Sequence, residues 1–193
     1  LTGGLRIGLK EGLLDDALAE AFGCSVSEVR EAHMLLGEVG ELAVLAAEGR
    51  LADAELRPMT PIKVMLASPE ETARGISDRL GDQNLWVEDK FDGIRVQVHK
   101  VGEKVSLFSR DLRPLNDQFP ELIRQIAQGN SEFILDGELI AFAEGRRLNF
   151  FDLQKRLGSK SQQGDLFLGE SVPVRVVAFD LLWCQGESLT KLA

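Results

Sequence analysis

Lys90-Phe91-Asp92-Gly93-Ile94-Arg95 brings a primary amine, a tight-turn dipeptide and a guanidinium close together in the chain. A lysine is a nucleophile once its amine is deprotonated and held in place. Arginine presents a planar fork of donors suited to phosphate or ribose oxygens. Glycine lets the backbone turn sharply and approach a ligand closely. Together these residue types suit covalent chemistry at a phosphate. The plainer reading is a hairpin, because Asp-Gly is a common two-residue turn and a lysine beside it is ordinarily solvated.

Glu88, Lys90 and Asp92 fall at alternate positions, so an extended strand would aim them at one face. Acids beside the lysine stabilise its ammonium form, which is not nucleophilic. The site therefore calls for a counterweight, which the basic residues holding a triphosphate and a divalent cation would supply. Three further stretches carry chemistry-bearing residues. Ser109-Arg110-Asp111-Leu112-Arg113 follows an apolar run, Leu135-Asp136-Gly137-Glu138-Leu139 sets two acids after another, and Val177-Ala178-Phe179-Asp180-Leu181-Leu182 holds an aromatic ring in a third. Each has a bland alternative: a solvated arginine at a strand end, a second Asp-Gly hairpin, and a core phenylalanine.

Lys-x-Asp-Gly-x-Arg, followed in order by these three stretches, resembles the covalent nucleotidyltransferases, which comprise ATP-dependent DNA ligases, RNA ligases and mRNA capping enzymes. The flanks resemble the larger ATP-dependent DNA ligases. Leu1–Gly8 and the following helix are similar to the end of their helical DNA-binding domain. Pro61–Ala67 is similar to the start of their adenylation domain, with Val64 where a proline is common, and Asn149–Gly158 to a later ligase segment.

The resemblance implies that Lys90 attacks the α-phosphate of ATP to form a lysyl-AMP. It implies that Glu88 reads the adenine amine and that Arg95 contacts ribose and phosphate. Arg110 lies near the nucleotide or the DNA 5′-phosphate, Glu138 binds ribose or metal, and Phe179 stacks on the purine. Asp92 and Asp136 have supporting roles. Arg113, Lys155, Arg156 and Lys160 are candidate contacts to DNA phosphates, which position a duplex without reading its sequence. ATP and Mg²⁺ (or Mn²⁺) are the implied cofactors. Nicked double-stranded DNA is the implied partner, with a further OB-fold domain, a later metal-binding acid and a lysine pair expected beyond Ala193. A chain lacking an initiator methionine and those parts is expected to be an excerpt, weak or inactive in nick sealing by itself. A capping or RNA-ligase-type enzyme and a non-catalytic DNA- or protein-binding module remain the alternatives.

The elements that must position these residues follow from periodicity. Leu14, Ala17, Leu18, Ala21 and Phe22 recur at helical spacing before Gly23. Ser25 and Glu28 form a capping box that opens a second helix bearing Val29, Ala32, His33 and Leu36. A third helix is predicted near Glu38–Glu48, stopping at Gly49. Two prolines, Pro58 and Pro61, mark an extended linker. The boundary therefore falls between residues 1–58, read as the end of a helical DNA-binding domain, and 59–193, read as a truncated adenylation domain.

A helix is predicted from Ser68 (N-cap) and Pro69 to Gly81. Strands are predicted at Leu85–Lys90, Ile94–Lys100, Lys104–Phe108, Phe133–Leu135, Leu139–Phe142 and Val174–Trp183, with a helix at Asn116–Gln128. The fold class is α+β: an antiparallel sheet with packed helices, preceded by an all-α segment.

Composition sets outer bounds. At 193 residues and 44% hydrophobic, the chain can bury one good core plus a smaller piece. No apolar run reaches membrane-spanning length. Cys24 and Cys184 are far apart and read as reduced core residues of a cytosolic protein, not a disulfide or metal pair. The ligase resemblance implies a monomer that works inside the cell with DNA. His33 and His99 are too isolated for a metal site. The net charge of −9 argues against binding nucleic acid by bulk charge. It is uneven, however: −6 over residues 1–58 and −3 over the remainder.

Overall fold

The central feature is an antiparallel sheet whose strands run in the order β2-β1-β3-β5-β6, with β4 pairing β3. The strands are β1 (Ile94–Val101), β2 (Lys104–Ser109), β3 (Phe133–Ala143), β4 (Arg146–Arg147), β5 (Val174–Cys184) and β6 (Glu187–Ser188). The computed structural model describes residues 11–81, 85–143, 145–149, 151, 153 and 172–190.

Alternation in β1 sorts its side chains onto two faces. Val96 and Val98 face one way and join Val105, Leu107, Leu115, Phe119, Leu122 and Leu139 in a buried cluster. Helix α5 (Pro120–Ala127) supplies Leu122 to this cluster, and Pro120 stands at its first turn, where a missing N–H costs nothing. Arg95, Gln97 and His99 face the other way. Antiparallel register places Glu138 opposite Arg95, Asp136 opposite Gln97 and Ile134 opposite His99, so all six share that second face.

Three helices precede the sheet: α1 (Glu11–Phe22), α2 (Val26–Leu36) and α3 (Val39–Ala47). The capping box predicted at Ser25 and Glu28 is formed in both directions, and Gly37 ends α2 in a left-handed conformation. Helix α3 lies within its predicted bounds, with Glu38 as N-cap and Glu48 as C-cap. Val29, Ala32, Leu35, Leu36, Leu42 and Leu45 bury their side chains together with Ile62, Ile134 and Trp183. The helical segment thus packs against the second face of the sheet through one continuous apolar core. Each fully buried aliphatic side chain there contributes about 1.5–3 kcal/mol.

The sequence expectations need correction at four places. The helix predicted from Ser68 begins at Ala73 as α4 (Ala73–Leu80). Thr72 caps it by accepting the Gly75 amide, which leaves residues 68–71 outside. Leu85–Lys90 forms no strand; Trp86 and Val87 are almost fully exposed, and none of the described strands lies beside them. Phe133–Leu135 and Leu139–Phe142, predicted as two strands, are one: Asp136-Gly137 sits inside β3, paired on both sides, because the central position of that strand overrides the local turn preference. The helix predicted at Asn116–Gln128 splits into a 3₁₀ turn at Asn116–Gln118 and α5.

Candidate active site

Lys90 stands where the extended approach to β1 ends. Its side chain is exposed, and its ammonium donates to Asp92 Oδ1 at 2.5 Å. That hydrogen bond and charge raise the lysine's pKa and lower that of Asp92. Glycine at position 93 is demanded by close packing. A Cβ there would meet the Leu139 carbonyl oxygen at 2.0 Å and Glu138 Cγ at 2.9 Å. The close approach also lets the Gly93 amide donate to Glu138 Oε1 at 3.0 Å. Lys90, Phe91, Asp92, Gly93 and Glu138 line a cavity of about 310 Å³. Glu138 is partly desolvated there, which raises its carboxyl pKa, against the opposing pull of the Gly93 amide, Arg95 and Lys90.

Arg95 is held from three sides. Its Nε and Nη2 donate to the two Asp136 carboxylate oxygens at 3.2 and 2.7 Å, and Nη1 donates to the Met65 carbonyl at 2.8 Å. Its guanidinium lies 5.5 Å from the centroid of the Phe179 ring, within cation–π range. Asp136 therefore has a definite structural task, holding the fork of Arg95. Phe179 is 40% exposed, so its ring is not a core residue.

The remaining sequence-derived candidates divide by location. Glu88 is exposed on the approach to Lys90. Arg110 and Arg113 are exposed on the loop after β2, which Ser109 closes by donating its amide to the Arg113 carbonyl and accepting the Arg113 amide on its hydroxyl. The serine of the Ser-Arg pair thus serves the loop, and the arginine is left at the surface. Lys155, Arg156 and Lys160 lie outside the described residues.

Arg147 was not singled out from sequence. Strand β4 folds back on β3 and sets its guanidinium 5.9 Å from the Phe91 ring centroid, close enough for its charge to lower the pKa of Asp92 further. The dibasic Arg146-Arg147 after Gly145 was the visible signal, but nothing in the sequence tied it to Phe91. His33 and His99, too isolated in sequence for a metal site, are both buried and hydrogen-bonded. Among the described residues, no group of three or more His, Cys, Asp and Glu could hold a metal ion. Asp92 and Glu138 still offer two hard oxygen donors on one cavity, which fits a cation such as Mg²⁺ that keeps several of its waters.

Comparison with known proteins adds four matches. The family model for the ATP dependent DNA ligase domain matches residues 64–193. A probable DNA ligase of Opitutus terrae is 43% identical, over 99% of this chain and 22% of that protein. A probable DNA ligase of Koribacter versatilis is 46% identical, over 97% of this chain and 32% of that protein. The chain spans less than a third of the length of these two relatives. Among solved structures, the ligase domain of M. tuberculosis LigD is 28% identical over 52% of this chain and 30% of that one, with a TM-score of 0.42.

Proposed function

This chain belongs to the ATP-dependent DNA ligase family, and we propose from its site that it forms a lysyl-AMP at Lys90 as the first step of sealing 3′-hydroxyl/5′-phosphate nicks in duplex DNA. The observation that supports this most directly is the exposed Lys90 amine on a cavity shared with Gly93 and Glu138.

In this reading the Lys90 nitrogen bonds to the α-phosphorus of ATP, and the bond to the pyrophosphate oxygen breaks. The Lys90 ammonium gives up one proton before the attack and a second as the N–P bond forms; the Asp92 carboxylate, 2.5 Å away, is the first acceptor and passes them to solvent. Arg95, already fixed by Asp136 and the Met65 carbonyl, meets the ribose and phosphate. Phe179 offers its exposed ring to the purine, Glu88 accepts from the adenine amine, and Glu138 takes ribose hydroxyl or metal. Asp92 and Glu138 would hold Mg²⁺ or Mn²⁺, which would neutralise phosphate charge. AMP then passes to the DNA 5′-phosphate, and attack by the 3′-hydroxyl releases it. These are phosphoryl-type transfers, in which positioning and charge neutralisation dominate.

Residues 1–58 would be the end of a helical DNA-binding domain and 59–193 a large part of the adenylation domain. Arg110, Arg113, Lys155, Arg156 and Lys160 would contact nucleotide or DNA phosphates. An OB-fold domain would complete the enzyme, acting as a monomer alongside intracellular DNA.

The test is the intact mass of the protein after incubation with a divalent cation and ATP, GTP or NAD separately. One AMP adduct with ATP alone is expected, and none in Lys90→Ala. Lys90→Arg fails too, because a guanidinium stays protonated. An adduct on either variant, or a GMP adduct, refutes the assignment.

A further inference from the structure

The linker between the helical segment and the sheet is bound to β1 by side chains at three alternate positions. His99 Nδ1 accepts the Met59 amide at 3.0 Å. Gln97 accepts the Ile62 amide at 3.1 Å and donates to the Ile62 carbonyl at 2.6 Å. Arg95 donates to the Met65 carbonyl at 2.8 Å. Gln97 and His99 are at most 1% exposed; the two Gln97 bonds to Ile62 are buried and the His99 bond is part-buried, while the Arg95–Met65 bond stands at the surface. The Gln97 amide meets both polar groups of one residue, as a neighbouring strand would. A strand requires this of a backbone, whereas here one buried side chain does it.

The same linker is held on its other side by α2. Gly37, the left-handed cap of α2, lies so close to the linker that a Cβ there would meet the Pro61 carbonyl oxygen at 2.3 Å. The Lys63 ammonium lies 2.8 Å from His33 Nε2, and His33 Nδ1 is in turn paired with Asp15 on α1. Residues 59–65 therefore run between the helices and β1, touching both, and end on the guanidinium proposed to meet the nucleotide.

We propose that residues 59–65 are a positioning arm of the nucleotide site, and that Gln97 is a positioning residue which sets where the Met65 carbonyl stands and so how Arg95 is aimed. This rests on the reading of Arg95 as a nucleotide contact. Two of the three restraints on Arg95 then come from different parts of the fold: Asp136 from the sheet and Met65 from the linker. Gln97 lies between them, on the same face of β1 and opposite Asp136. The helical segment is linked through the arm to the aim of Arg95, so a nucleotide that favours the aimed fork also favours the docked linker. Such coupling is reciprocal by linkage.

The test is a double-mutant cycle on AMP-adduct formation by the full-length chain, with ATP titrated. Gln97→Met keeps the length of the side chain and removes both bonds to Ile62. It is expected to raise the half-saturating ATP concentration by about tenfold, a coupling of ordinary size. The saturating rate should change by less than about threefold, since the residue touches no reacting group. In an Arg95→Ala background the same substitution should change half-saturation by less than about twofold, because its effect passes through Arg95.

Equal effects in both backgrounds overturn the proposal and leave the site reading intact. No effect of Arg95→Ala on ATP dependence overturns both. A second measurement needs no variant: on adenylation, hydrogen exchange at the Met59 and Ile62 amides should slow by at least about fivefold. Unchanged exchange in a protein that carries the adduct refutes the arm.

Discussion

His99 offers a stability test whose sign and size follow from its surroundings. The ring is fully buried, packs edge-on against Phe108 with centroids 5.0 Å apart, and accepts the Met59 amide. Burial lowers its pKa from 6.5 to about 4, so the folded chain holds the neutral ring. The unfolded chain takes up a proton below about 6.5. The contribution of His99 is therefore fully present above that pH, falls as pH drops, and is lost by about 4, where the folded ring also protonates. At about 1.4 kcal/mol per decade of proton affinity, the total is about 3 kcal/mol, of which about 2 kcal/mol is gone by pH 5.

The perturbation is His99→Gln, which cannot titrate but can still accept the Met59 amide. Urea unfolding of both proteins at pH 7.5, 6.5, 5.5 and 5.0 gives two stability curves. Other titrating groups, such as Glu28 and Asp92, are common to both and cancel in the difference. Between pH 7.5 and 5.0 the native chain should lose about 2 kcal/mol more than the variant. Curves that stay parallel to within about 0.5 kcal/mol would refute the reasoning, since that is near the error of such extrapolations.

Two further outcomes probe the frame around the site. Gly93→Ala would drive a Cβ into the Leu139 backbone and displace the amide that binds Glu138. It should cost about 2 kcal/mol or more in thermal unfolding and also weaken adduct formation; unchanged stability would contradict the packing. Ser25→Ala removes the hydroxyl that accepts the Glu28 amide and leaves only the backbone half of the α2 capping box, the position-25 amide donating to the Glu28 carboxylate. It should cost about 1 kcal/mol with no change in the adduct, and a loss of adenylation at full stability would contradict that separation.

Local rules read well where local physics decides. The capping box at Ser25, the end of α1 before Gly23 and the alternation of Val96 and Val98 depend on spacing alone, and the structure has them. The Lys90–Arg95 motif was legible for the same reason, as residue types at fixed intervals. Where elements compete for partners, local signals misled. Asp136-Gly137 carries turn residues, yet both β1 and β5 pair with them. Leu85–Lys90 has strand-like residues, yet it pairs with none of the described strands.

The sequence by itself determined the class of chemistry, because a lysine beside Asp-Gly and an arginine nearby in the chain is a matter of composition and interval. It determined the amphipathic faces of the helices and strands in the same way. Only the tertiary structure decided who holds whom. Asp136 grips Arg95 because antiparallel register sets it one position diagonal on the same face. Arg147 meets Phe91 because β4 turns back along β3. Gln97 and His99 lost their place as anonymous core residues when the linker came to lie across them. Register, hairpin return and linker path each join residues 30 or more positions apart, or reverse the chain upon itself, and no interval along the sequence encodes such pairings.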